Sequence, residues 1–127
     1  MVDITPPVQQ GRQLISRYGD GGFFIGEEEY QAAVLVSPEQ TTPLSLTNAN
    51  DLTADMLATA LQAIPDDGAV LLFGMGETIK PVDKALRQAL RNANLSVEPM
   101  DTGAACRTFN VLLSEDRAVF AVLIPVP

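Results

Sequence analysis

The sequence predicts an α/β protein: a three-layer single domain over residues 1–127, with a mixed central sheet, helices packed on it and an N-terminal β-hairpin layer. Three observations carry this. Residues 53–126 read as helix, strand, helix, strand, helix, strand. The run "AVLLF" at 69–73 is short and wholly apolar, the pattern of a strand buried on both faces. The first third instead sets β-rich runs between glycine-bearing turns, the pattern of consecutive hairpins.

Residues 1–11 hold two prolines, a glycine and no clear period, and are expected to be a loosely ordered lead-in. Leu14, Ile15 and Tyr18 precede the turn Gly19-Asp20-Gly21-Gly22, and Phe23 to Ile25 form the returning strand. A second turn runs from Gly26 into Glu27, Glu28 and Glu29, read as solvated because adjacent glutamates point apart and no oxygen-rich metal spacing follows. Tyr30 to Val36 form a further strand, stopped by Ser37-Pro38, and residues 37–50 are a polar loop. Thr53 is the expected N-cap of a helix through Ala63, with Met56, Leu57, Ala60, Leu61 and Ile64 as its apolar stripe. Pro65-Asp66-Asp67-Gly68 ends it. After the 69–73 strand, Thr78 caps a second helix with Pro81 in its first turn, and Val82, Ala85, Leu86, Ala89, Leu90 and Ala93 keep the 3.6 period. Residues 95–100 form a strand, Thr102 to Ser114 a third helix, and 118–126 the final strand.

Composition removes several classes of function. The chain has no histidine and one cysteine, so Ser-His-Asp and Cys-His mechanisms, histidine metal sites and cysteine-rich zinc sites are all excluded. Neither a metal nor a cofactor is expected. The single cysteine also rules out an internal disulfide. The net charge of −8 argues against nucleic acid and against direct binding to an anionic membrane, and favours a basic protein partner. Lys80, Lys84, Arg87 and Arg91 fall at helical spacing and read as a solvated face. No apolar run reaches the ~18 residues of a membrane span, and the first residues lack the basic start and apolar core of a secretory signal. The expected compartment is the cytoplasm.

Two motifs merit weighing. Gly74-Met75-Gly76 follows a buried strand and precedes a helix, as a dinucleotide-binding loop does. The third glycine of that fingerprint is missing, since position 79 is Ile79, and there is no P-loop lysine. A tight turn is the simpler reading, with anion or partner contact at the helix start the alternative. "DTGAACRTFN" at 101–110 opens like an aspartic-protease loop. Only 24 residues follow Gly103, too few for the remainder of such an enzyme, and Ala105, Phe109, Leu112 and Leu113 have helical spacing. Asp101 or Thr102 is then a helix N-cap. Cys106 near that helix start, beside Arg107, is expected to have a lowered pKa, but it has no general base and no resolving thiol. Arg107 is within sequence reach of Asp101 or Glu115. Asn110 stands in mid-helix, where its amide either braces a neighbouring loop or lines a cleft. Gly74, Gly76, Cys106, Arg107, Thr108 and Asn110 are therefore the candidate contact residues.

The block Met100 to Ile124 resembles a family pattern. Met100, Asp101, Thr102, Ala104, Ala105, Cys106, Arg107, Thr108, Phe109 and Asn110 match in order, with Glu115 and Arg117 before the last strand. "LLFGMG" is similar to the family's strand and Gly-x-Gly, and "GFFIGEEEY…VLVSP" to its opening hairpins. The family is a small single-domain one of unknown function that includes mitochondrial complex I assembly factor three and the adipogenesis-associated domain protein of animals. The chain departs from it in having no tryptophan and in carrying Gln31-Ala32 after the tyrosine. The resemblance implies a three-layer α/β fold, no established enzymatic activity, and, for mitochondrial relatives, a role in assembling complex I. The expected function is a non-enzymatic accessory protein acting through protein contacts. The alternative is a small-molecule or anion-binding domain with its pocket near Gly74, Gly76, Cys106 and Arg107.

Overall fold

The structure, a computed structural model, describes residues 1–4 and 12–127. Strands β1 (Val2–Asp3), β2 (Ile15–Gly19), β3 (Gly22–Ile25) and β4 (Glu28–Tyr30) form an antiparallel sheet in that order. The β2–β3 turn places Asp20 and Gly21 at φ 52° and 80° between the paired Gly19 and Gly22. Two positive φ values in a two-residue loop match the right-handed twist of the strands, and an Asp-Gly pair tolerates them best. The lead-in expectation is corrected at its start. Val2 and Asp3 pair with Tyr18 and Arg17, and the Met1 ammonium reaches Asp20 Oδ2 at 2.9 Å. The rest of that expectation, over 5–11, lies outside the described residues.

A second, mixed sheet has the order β6-β5-β9-β7-β8, from β5 (Ala33–Val36), β6 (Thr41–Leu44), β7 (Ala69–Gly74), β8 (Leu95–Met100) and β9 (Val119–Leu123). β9 runs parallel to β7 and antiparallel to β5, and β7 runs parallel to β8. The period-2 alternation of strands divides the core. Leu35, Leu71, Phe73, Val97, Phe120 and Val122 face one layer, and Val34, Val36, Leu72, Val119, Ala121 and Leu123 face the other. The first layer holds α1 (Ala58–Leu61) and α2 (Lys84–Asn92). The second holds α3 (Thr102–Ser114) and the antiparallel sheet, through Ile15, Phe23, Ile25 and Phe109. This is the three-layer α/β architecture that the sequence predicts.

Several boundaries differ from expectation, among them the last strand, expected over 118–126 and found as β9 over Val119–Leu123. The 30–36 strand is two strands: Tyr30 pairs with Phe23 in one sheet and Ala33 with Leu44 in the other, so the chain changes sheets at Gln31-Ala32. The polar loop at 37–50 contains β6, whose Thr-Thr pair favours a strand despite Pro43. The 53–63 helix shrinks to α1, preceded by 3₁₀ turns over 49–51 and 54–57, because the Thr53 hydroxyl forms no cap bond and the tighter winding buries Leu57 completely. α2 starts at Lys84, not near Thr78. Asp83 is its cap, its carboxylate accepting the Leu86 N–H at 3.0 Å, and Pro81 biases the residue before it against helix.

Candidate functional site

The "DTGAACRTFN" segment forms the start of α3, packed between the two sheets. Asp101 caps it, Oδ1 accepting the Ala104 N–H at 2.8 Å. Thr102 is wholly buried and works as a clip between strands. Its Oγ1 accepts the Gly76 N–H at 2.9 Å and donates to the Ile124 carbonyl at 2.6 Å, while its own N–H donates to the Gly76 carbonyl at 2.9 Å. The Gly-x-Gly turn is thereby explained without a ligand. A Cβ on Gly74 would lie 3.0 Å from Ala105 Cβ and 3.1 Å from Thr102 Cα, so this glycine lets α3 approach β7. Gly76 has φ +88°, and both its main-chain groups are engaged by Thr102.

Asn110 faces the core. Its Oδ1 accepts the Ile15 N–H at 3.0 Å and its Nδ2 donates to the Ile15 carbonyl at 2.8 Å. The amide thus imitates a strand edge and ties β2 to α3 at a bulge, where Ile15 departs from regular register with β3. Cys106 is also sealed, with no exposed surface. The expectation of a lowered pKa is corrected: burial pushes the thiol up to about 12, Arg107 offsetting only part of this and Asp101 adding to it. The spacing that puts Cys106 near the helix start also turns it inward, beside Ala105 and Phe109. Thr108 is half-buried.

Arg107 alone of the α3 candidates is exposed. It forms neither of the ion pairs within its sequence reach: its Nη1 donates to the Tyr18 hydroxyl at 3.2 Å, while Glu115 Oε1 lies 4.0 Å from Arg117 Nη1. The tip of Tyr18 rests on Gly103, where a Cβ would stand 2.6 Å from the hydroxyl oxygen. Around this pair lies an open cleft of about 370 Å³, lined by Tyr18, Gly76, Glu77, Asp101, Gly103 and Arg107 with the chain end at Val126 and Pro127. It stands at the carboxyl ends of β7 and β8, where α/β sheets commonly bind ligands. Two of the six candidates, Gly76 and Arg107, meet here, and Gly74, Cys106 and Asn110 are absorbed by packing.

The cleft's chemistry is mixed. One guanidinium and one phenol face two carboxylates, and the Ala104, Thr102 and Gly76 amides are already occupied. A small anion would meet Asp101 and Glu77, whereas a polar protein surface can match both signs. Tyr18, Glu77 and the carboxylate of Asp101 are participants that sequence reasoning did not select. The glycine at Gly103 marks the close approach of Tyr18, but nothing in the sequence names its partner. A larger depression of about 650 Å³ lies at the opposite strand ends, where Arg91 and Arg117 stand with Asp67 and Asp116. Among the described residues, no group of Cys, Asp and Glu is arranged to hold a metal ion, and no helix is long and apolar enough to cross a membrane.

Known proteins share this fold and much of this sequence. An uncharacterized Rhodobacter capsulatus protein is 37% identical over 117 residues, covering 92% of this chain and 88% of its own. The human NADH dehydrogenase [ubiquinone] 1 alpha subcomplex assembly factor 3 is 29% identical over 113 residues, 89% of this chain; the chain spans 61% of that relative's length. The crystal structure of an outer membrane protein from Bartonella henselae superposes with a TM-score of 0.82 at 36% identity, covering 92% of this chain and 98% of that one. The NMR structure of a Rhodopseudomonas palustris protein gives 0.76 at 30% identity, covering 100% and 94%. The family model described as "Protein of unknown function (DUF498/DUF598)" matches residues 15–124, and the chain belongs to that family.

Proposed function

We propose that the chain is a non-enzymatic, cytoplasmic accessory protein that acts through protein contacts and assists assembly of a membrane respiratory complex. The observation that carries this is the likeness to relatives named assembly factor 3 of NADH dehydrogenase, over 89% of this chain in the human protein. Two features support it. The thiol and amide most open to a catalytic reading, Cys106 and Asn110, are used inside the fold. The surface carries a net charge of −8, which steers a basic partner toward it. The test is affinity capture with crosslinking at native expression levels. Recovery of respiratory-complex subunits is expected, and their consistent absence overturns the assembly role.

The second reading, a small-anion pocket at Tyr18 and Arg107, rests on the Arg107 guanidinium, which donates to the Tyr18 hydroxyl and forms no ion pair among the described residues. It requires inorganic phosphate or a simple carboxylate to protect Arg107 and to raise Tm. The carboxylates of Asp101 and Glu77 in the same cleft argue against it.

A further inference from the structure

The face of the central sheet that carries α1 is incompletely covered. α1 has only four residues, and the chain then turns away at Pro65. A groove of about 330 Å³ remains beside the β5–β6 hairpin, floored by Leu35 and Phe120 and walled by Thr59, Ala60 and Ala63. The walls are small side chains, and Leu35 and Phe120 each keep only 5% of their surface exposed at its base. Polar groups that would orient a small molecule are scarce. The Ser37 hydroxyl already donates to the Gln40 carbonyl at 3.2 Å and accepts the Gln40 N–H at 3.1 Å within the hairpin turn. A small-molecule pocket would instead offer several convergent polar groups.

Acidic groups outnumber basic ones at the rim, where exposed Arg117 precedes Ala118 of the lining. Glu39 lines the groove, and no lysine or arginine is among its described lining residues. Exposed Asp66 and Asp67 follow Pro65 of the wall, and exposed Asp55 stands one turn before Thr59. The mode of contact is narrowed further by β6, an edge strand. Ser37 N–H donates to the Gln40 carbonyl at 2.8 Å, so Thr42 and Leu44 turn their main-chain groups toward β5 and Thr41 and Pro43 turn theirs outward. Pro43 has no N–H to offer, so an incoming strand finds an interrupted ladder and the groove is left to side-chain insertion.

We propose that this groove docks a cationic segment of a partner protein, one apolar side chain entering between Leu35, Ala60 and Phe120 while flanking lysines or arginines face Glu39. The proposal rests on the accessory-protein reading and gives that reading a surface. The probe is the blocked hexapeptide Lys-Lys-Leu-Leu-Lys-Lys, titrated into ¹⁵N-labelled protein at low salt, with Glu-Glu-Leu-Leu-Glu-Glu and Lys-Lys-Ser-Ser-Lys-Lys as controls. The basic apolar peptide is expected to move the amides of Leu35, Ala60, Ala63 and Phe120, and neither control to do so. Glu39→Lys weakens binding about fivefold, an effect that shrinks as salt is added. Thr59→Arg, at an exposed position that leaves the fold intact, weakens it at least about tenfold.

Equal binding of either control overturns the proposal, as do shifts spread over the acidic surface or an unchanged affinity in Thr59→Arg. A concentration-dependent dimer whose interface maps to the groove overturns it in favour of a second copy of the chain. Capture of respiratory subunits by Thr59→Arg at the unmodified level overturns the groove while the assembly reading stands. Loss of capture by the unmodified chain sinks that reading instead.

Discussion

Asn110→Ala isolates what the mid-helix amide does. The native side chain satisfies the N–H and the carbonyl of Ile15 at 3.0 and 2.8 Å, and Ile15 has no exposed surface. Truncation leaves a buried donor and a buried acceptor without partners, each costing about 1–3 kcal/mol. Taking about 3 kcal/mol for the pair, since some relaxation at the β2 bulge is available, and about 4 °C per kcal/mol at this chain length, Tm falls by about 12 °C. Asn110→Leu keeps most of the volume but neither hydrogen bond, so it should fall about as far. Val111→Ala, at the exposed neighbour, should stay within about 0.5 kcal/mol of the parent. Chemical denaturation and calorimetry of the three variants supply the comparison. An Asn110→Leu variant as stable as the parent would refute the clamp and return Asn110 to the surface.

Four further outcomes follow from the same geometry. Gly74→Ala drives a methyl against Ala105 and the Thr102 backbone, and should cost about 1–3 kcal/mol by chemical denaturation. Thr102→Val removes a buried donor and acceptor at once and should cost about 2–4 kcal/mol, with Thr102→Ser losing far less. Cys106 should resist iodoacetamide at pH 7 to 9 in the folded chain and react only on unfolding; fast alkylation of native protein would contradict its burial. Its folded pKa of about 12 lies above the ordinary 9.0, so the unfolded chain releases this proton first. Stability contributed by the neutral thiol is therefore whole below pH 9.0 and declines as pH rises toward about 12, which a pH series of denaturation midpoints in parent and Cys106→Ala should show as a difference.

Much of the fold was readable where a local signal coincides with the element. "LSVEPM" is β8 to the residue, and α3 has the bounds that its cap and apolar spacing give. The misplacements share a cause: the deciding contact is distant in sequence. β1 is a strand because Tyr18 stands opposite it, and the Thr-Thr pair of β6 becomes one only with Leu35 across from it, since Pro43 and the polar run around it hide the signal. The break at Gln31-Ala32 comes from two sheets claiming the two halves of one β-rich run. The site was legible as a segment and not as an orientation. Helical spacing placed Cys106, Arg107 and Asn110 together, but which of them turned inward depended on β2, whose Tyr18 and Ile15 lie 89 and 95 residues away along the chain.

The sheet order β6-β5-β9-β7-β8 puts the last strand at the centre. β9 bonds to both β5 and β7 and so joins the two halves of the sheet. During synthesis the β5–β6 hairpin leaves the ribosome well before β9, and roughly 80 residues must follow Val36 before Val119 appears, a delay of about 4–16 s. Until then Val34 and Val36, and Leu72 once it is made, lack the strand that joins their half-sheets, and the strand edges that β9 will pair are bare. A nascent chain stalled just short of Val119 should therefore be captured by holdase chaperones far more than one released past Leu123. A protein that is proposed to assist the assembly of others thus has a vulnerable interval in its own synthesis, closed only when its final strand is threaded between strands already made.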